Sequence, residues 1–266
     1  MQKGNIIYLT LQISIYKITL YRILNILTIT LIVGYSFPSF GQREGDLLYK
    51  KELVAGVNFH TNGGLVGGGL LRYSKKIGEA HFYQLGLEVS FIKHPKELRY
   101  LNSTTNNTFI AYKKNAMFVI RPQVGYEYAL FRKADEEGVQ IDFILAGGLS
   151  LGFLKPYYIE YQYGKTSKME AYNPAVHTDF NRVLGSGSVL SGLDESKVVP
   201  GVHIKPALSF ELGQLNGNVT GIETGFLVEY FAQKMEILEP FNGYGTIKNK
   251  QLFTSVYLTI YYGLRR

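Results

Sequence analysis

The sequence predicts an all-β fold, an eight-stranded antiparallel up-and-down transmembrane β-barrel. Three observations lead there: a two-residue hydrophobic period that recurs along the chain, a polar face of small residues with isolated charges, and connections that are short on one side and long on the other. Composition sets the outer bounds. With 46% hydrophobic and 18% charged residues, 21 Tyr and 16 Phe in 266 residues, the chain is too apolar to be disordered. The absence of cysteine excludes a disulfide scaffold, a cysteine-ligated zinc site and a lipoprotein anchor. The net charge of +7 does not point to nucleic acid, because Lys3, Lys17 and Arg22 lie in an acid-free first 41 residues and the later charges are interspersed.

The N-terminus reads as an export signal. A basic segment up to Arg22 precedes the apolar run Ile23 to Phe37, and Ser39-Phe40-Gly41 supplies small residues at the −3 and −1 positions. Cleavage before Gln42 makes residues 1–41 a signal peptide, 42–52 a periplasmic segment and 53–266 the barrel. The apolar run is short for a membrane-spanning helix and no basic stop-transfer cluster follows it.

The strands follow in order. Two Gly-rich segments at about 53–60 and 65–74 open the barrel. Next, Leu85, Leu87, Val89 and Phe91 oppose Gln84, Gly86, Glu88 and Ser90, and Ile120, Val124, Tyr126 and Tyr128 oppose Arg121, Gln123, Gly125 and Glu127. The stretch 141–153 alternates from Ile141 to Phe153, and 203–212 places an apolar residue at every even position and a polar or small one at every odd. In 220–231, Ile222, Phe226, Val228 and Tyr230 share one face; in 252–262, Leu252, Val256, Leu258 and Ile260 do. The polar faces carry Arg72, Glu88, Arg121, Glu127, Asp142, His203, Lys205, Glu211, Glu223 and Glu229, a set that suits a narrow lumen of internally paired charges. Tyr126, Tyr128, Phe153, Tyr157, Tyr230, Phe231, Tyr261 and Tyr262 sit at strand ends, where interfacial girdles lie.

With both termini in the periplasm, the connections at 74–78, 132–138 and 213–218 are short periplasmic turns. Those at about 93–113, 155–199 and 233–250 are long outer loops, and Thr61-Asn62-Gly63-Gly64 is a tight outer hairpin. The 155–199 loop is rich in apolar rings. Tyr157, Tyr158, Tyr161, Tyr163, Tyr172 and Phe180 are its candidate partner-contact residues, the other reading being a plug packed over the mouth.

The signal ending Ser39-Phe40-Gly41-Gln42, the opening Gly56-Val57-Asn58-Phe59 and the closing strand Val256-Tyr257-Leu258-Thr259-Ile260-Tyr261-Tyr262-Gly263 resemble the small outer-membrane barrels of Bacteroidota called PorT-like or outer membrane protein beta-barrel domains. The resemblance covers about 53–266. It implies an accessory role in an outer-membrane assembly, such as a type IX-like protein secretion or barrel-insertion complex. It departs at the terminal Leu264-Arg265-Arg266 and at the long 155–199 loop.

No catalytic residue, cofactor or metal ligand is expected. His60, His177 and His203 are not followed by the x-Ser of barrel deacylases, Gly185 to Gly192 lacks the Lys of a phosphate loop, and His81 and His94 stand singly. The rival class is an outer-membrane enzyme acting on lipid or peptide, with a His and acid site in the lumen. The expected partners are outer-membrane lipid and a larger outer-membrane protein complex.

Overall fold

The computed structural model describes residues 49–132, 138–215, 218–239 and 247–266. The expected signal at 1–41 and its cleavage site lie outside the described residues, as do most of 42–52 and parts of two periplasmic turns. Within the described residues thirteen strands follow in chain order: β1 (Lys51–His60), β2 (Gly64–Lys76), β3 (His81–Ile92), β4 (Leu98–Leu101), β5 (Thr108–Ala111), β6 (Asn115–Phe131), β7 (Val139–Pro156), β8 (Tyr158–Tyr163), β9 (Thr166–Ala171), β10 (Val183–Ser186), β11 (Lys197–Leu215), β12 (Asn218–Phe231) and β13 (Leu252–Arg265). Among the described residues the sole helix is a 3-10 turn, Phe180–Arg182.

Eight of these strands close into one barrel in the order β1-β13-β12-β11-β7-β6-β3-β2. Each pairs antiparallel with its neighbours, and the ring is sealed by β1 against β13, where Ala55 faces Tyr262 and Phe59 faces Leu258. Closure satisfies every edge, which a strand crossing lipid requires because hydrocarbon offers no hydrogen bonds.

Burial alternates along each strand as the sequence period demands. On β12 the outward Phe226, Val228 and Tyr230 are exposed while Gly225, Leu227 and Glu229 are buried. Outward Leu85 and Leu87 on β3, Val202 and Ile204 on β11, and Val256 and Ile260 on β13 extend this apolar surface around the barrel. Near the termini it ends in rings: Tyr83 pairs with Tyr126, and His81 stacks on Tyr128 with centroids 4.9 Å apart. At the other end Phe91 pairs with Phe118, which stacks on Phe153 at 4.7 Å. A closed barrel that is apolar outside, polar inside and ringed by aromatics spans the bacterial outer membrane.

Two rings assigned to that girdle point the other way. Phe231 and Tyr261 are buried, because their strand positions share the parity of the lumen residues Glu229 and Thr259. Tyr157 leaves the barrel altogether and packs within the outer loops.

The barrel strands run further than their alternation alone marks. The β6–β7 ladder reaches Asn115 and Pro156, and β11 joins β7 from Lys197 onward. Beyond them, β4 pairs with β5 and β8 lies between β9 and β10 in a small sheet. The two long loops thus have secondary structure of their own and form a folded head on the outer side.

Candidate functional site

The lumen is the first candidate, and each strand delivers its inward side chains by the two-residue period. At mid-height Arg121 of β6 donates from Nη1 to Glu88 at 2.7 Å, and from Nε and Nη2 to the two oxygens of Glu229 at 2.7 and 2.9 Å. Lys205 holds the other Glu88 oxygen at 2.6 Å and lies 4.2 Å from the centre of the Tyr257 ring. Tyr257 donates to Glu223 at 2.6 Å, and Glu223 also pairs with Arg72. Nearer the termini Arg265 bridges Glu52 and Glu211 and stacks over Tyr49 at 3.7 Å. Gln84 donates to Glu127, and Gln140 donates to Asp142 at 2.8 Å.

Arg121 lies within the wall between Glu88 and Asp142, on the strands either side of it, yet it does not pair with both. Glu88 on the neighbouring strand is one partner, but the second is Glu229 across the lumen, and Asp142 is bound by an amide instead. The reason is reach, since a narrow barrel lets a long guanidinium span its bore. Among the described residues the lumen holds seven acids, Glu52, Glu88, Glu127, Asp142, Glu211, Glu223 and Glu229, against the bases Arg72, Arg121, Lys205 and Arg265. That excess is why Glu127 and Asp142 rely on glutamine donors.

Above the ion pairs the bore turns apolar. Ile92, Met117, Val119, Leu154, Val199 and Phe231 point inward from five strands. Met235, Ile237, Leu238 and Ile247 from the last outer loop fold into the same cluster. Asn249 fixes that loop by accepting from the Ile237 amide at 3.1 Å and donating to the Leu238 carbonyl at 2.8 Å. Among the described residues the mouth is therefore filled from 235–238 and Ile247 of the last outer loop and not by the rings of 155–199.

The lumen histidines are sealed beneath it. His203 is 6% exposed and its Nδ1 meets Ser150 Oγ at 3.0 Å. Both ring nitrogens of His60 are buried without a hydrogen-bond partner. Among the described residues no carboxylate bonds either ring, and no group of three His, Asp or Glu could hold a metal ion.

No family model matches the chain, and no curated protein is similar to it in sequence. Several solved chains are similar in fold, among them two outer-membrane proteins. Neisserial surface protein A, NspA, is 9% identical over 84% of this chain and 100% of its own, with a TM-score of 0.36. Ail, the attachment invasion locus protein of Yersinia pestis, was solved with the heparin analogue sucrose octasulfate; it is 9% identical over 82% and 100%, with a TM-score of 0.35. These are likenesses of fold alone.

The head is the second candidate. Phe109 and Ala111 of β5, Ile159 and Tyr161 of β8, Tyr172 and Val183 form a buried core. Tyr100, Tyr112, Tyr157 and Phe180 pack on its margin. Of the six rings expected to contact a partner, Tyr161 and Tyr172 are thus buried and Tyr157 and Phe180 half-buried against the head itself. Tyr158 is half-buried, and Tyr163 stands exposed on β8. Burial of the Tyr172 hydroxyl pushes its pKa up to about 12, so it stays protonated and accepts from the Tyr112 amide at 3.4 Å.

His177 locks this head. Its ring stacks on Tyr172 and lies 4.7 Å from Tyr161, its Nδ1 accepts from the Asn173 amide at 2.9 Å, and its Nε2 donates to Glu170 at 2.9 Å. Beside the head lies a cluster of cations, Lys93, Arg99, Lys113 and Lys155, around a cavity of about 700 Å³. Burial pushes the Lys113 ammonium below the ordinary lysine value; Glu97, bonded at 2.8 Å, opposes that, and Lys93 and Arg99 add to it. The cation cluster was not visible in sequence, because its members come from three segments with no shared motif. Glu52 and Arg265 were missed as well, Glu52 falling in the segment expected to be periplasmic and Arg265 beyond the last expected strand, although continuing the alternation by one and by three residues puts both inside.

Proposed function

We propose that this chain is a non-enzymatic outer-membrane barrel that displays a folded head, serving as an accessory component of an outer-membrane assembly such as a type IX-like secretion or barrel-insertion complex. One observation carries the reading. The bore is filled by ion pairs and by the Met235, Ile237 and Leu238 layer, so an interior route for solute is blocked while the outer loops build an organised surface. That surface keeps Leu101, Tyr163, Met169 and Val176 exposed, more apolar area than a head folded only for itself needs to show. The resemblance of the strand and signal motifs to PorT-like barrels favours a secretion assembly as the setting.

The test is co-isolation from native membranes with identification by mass spectrometry. Tyr163→Ala combined with Met169→Ser should leave the barrel intact and remove a larger outer-membrane partner. Recovery of every wild-type partner with this variant would overturn the reading. The rival enzyme reading has one observation in its favour, the Ser150 and His203 hydrogen bond. Both residues are buried below the apolar layer, and among the described residues no carboxylate orients the His203 ring. Ser150→Ala should therefore leave any esterase or peptidase activity of a preparation unchanged.

A further inference from the structure

The cavity of about 700 Å³ opens at the lipid side of the barrel wall, with Ile92 and Met117 of the apolar layer at its inner end. Its floor is the outward Val66 of β2, Val89 and Phe91 of β3, and Phe118 of β6, the last rungs of the lipid-facing surface. Its roof is Val189, Leu190 and Leu193 from the head, the first two 73% and 72% exposed. Apolar side chains that exposed, facing an apolar floor at the membrane boundary, leave a slot continuous with hydrocarbon.

The polar end of the slot is positive. Lys93 and Arg99 reach it from the β3–β4 segment, Lys113 from the segment before β6 and Lys155 from β7. Glu97 neutralises Lys113, and the buried Lys155 donates to the Ser191 carbonyl at 2.7 Å. Among the described residues no carboxylate pairs with Lys93, Arg99 or Lys155, and no acid lines the cavity. Glu195, held by the Tyr158 hydroxyl at 2.5 Å, stands at the rim. Three cations that line one cavity with no carboxylate paired to them favour an anion there.

We propose that this slot binds a phosphorylated acyl lipid of the outer leaflet, its chains between the Phe91 and Phe118 floor and the Val189 and Leu190 roof and its phosphate among Lys93, Arg99 and Lys155. The two halves of the site select together. A soluble phosphate leaves the apolar slot unfilled, and an uncharged lipid leaves the cations unmatched. The proposal rests on the membrane-barrel reading, since the floor is lipid-facing wall.

The test is native mass spectrometry of the full chain in zwitterionic detergent. The probes are a bis-phosphorylated, multiply acylated glucosamine disaccharide lipid, its dephosphorylated form, and inorganic phosphate. The phosphorylated lipid should give one retained adduct per chain. Lys93→Ser with Arg99→Ser, both exposed and outside the barrel ladder, should weaken retention about thirtyfold, from two lost surface charges acting on an anionic headgroup. Val189→Ser with Leu190→Ser should weaken it about tenfold from the acyl side. Equal retention of the dephosphorylated lipid, equal retention by the Lys93 and Arg99 variant, or full competition by inorganic phosphate would each overturn the lipid site. Boiled and unboiled samples are run alongside. A protein that migrates as a folded barrel yet retains no adduct overturns this inference alone, whereas one that never shows a folded form overturns the barrel.

Discussion

Arg121 reaches two carboxylates at once, and that makes it the residue on which the lumen turns. Its removal leaves Glu88 with Lys205 but leaves Glu229 buried with no cation bonded to it. Breaking a buried pair from one side costs about 3–5 kcal/mol, so Arg121→Met should lower the urea midpoint of the detergent-refolded barrel by that equivalent. Glu229→Gln in the same background should recover part of the loss, because the stranded charge is gone. A second test separates the two faces of one strand. Leu208 faces lipid, and Leu208→Arg should cost about 2–4 kcal/mol in a bilayer unfolding assay. The adjacent Ser209 faces inward and shares a hydrogen bond with the Tyr261 hydroxyl at 2.7 Å, so Ser209→Ala should cost about 1 kcal/mol. Equal effects at 208 and 209 would show the faces to be misassigned.

At the scale of elements, the β8–β9 hairpin shows how the head is held. Gly164 opens its two-residue turn at φ +65°, a backbone region closed to β-branched residues, so Gly164→Val should loosen the hairpin by about 1–2 kcal/mol. Hydrogen exchange of Ile159 to Met169 amides should rise while the folded barrel still resists detergent before boiling. The same hairpin carries a pH response. The Tyr163 hydroxyl and then His177 hold the Glu170 carboxyl below the ordinary carboxylate range, with Lys168 3.5 Å away. A lowered folded value means the stabilisation is present above the ordinary glutamate pKa of roughly 4.3 and is lost as pH falls through the lowered one. Hairpin exchange should therefore quicken below about pH 4. Glu170→Gln should make it insensitive to pH in that window; a wild-type profile flat from neutral to acid would contradict the role of Glu170.

For the whole molecule, closure and filling together set the behaviour. A sheet with no free edge resists detergent until heated, so unboiled samples should migrate faster than boiled ones. The Arg121 and Arg72 ion pairs and the Met235, Ile237, Leu238 layer block the bore in series, so planar bilayers should show no conductance steps. Replacing Ile237 and Leu238 by Ser should expose the buried His203 to solvent without opening a pore, since the ion-pair layer remains. Steps in the unmodified protein would refute the filled lumen.

The barrel was legible in the chain because strand period and lipid exclusion are both local rules. Each inward residue announces itself by parity, which is how Glu88, Arg121, Lys205 and Glu229 were placed together without any coordinate. Parity also misled where aromatic identity was weighed above it, as at Phe231 and Tyr261. Partner choice inside the lumen depends on which side chains meet across the bore, and the Arg121 to Glu229 pair spans 108 positions with no local signature. The outer loops lacked any period to read. Only packing decided that Met235, Ile237, Leu238 and Ile247 fill the mouth, that Tyr161 and Tyr172 turn into a core of their own, and that four cations from three segments surround one slot at the membrane boundary. Loops answer to whatever surface is left when the strands have closed, and that surface exists only in three dimensions.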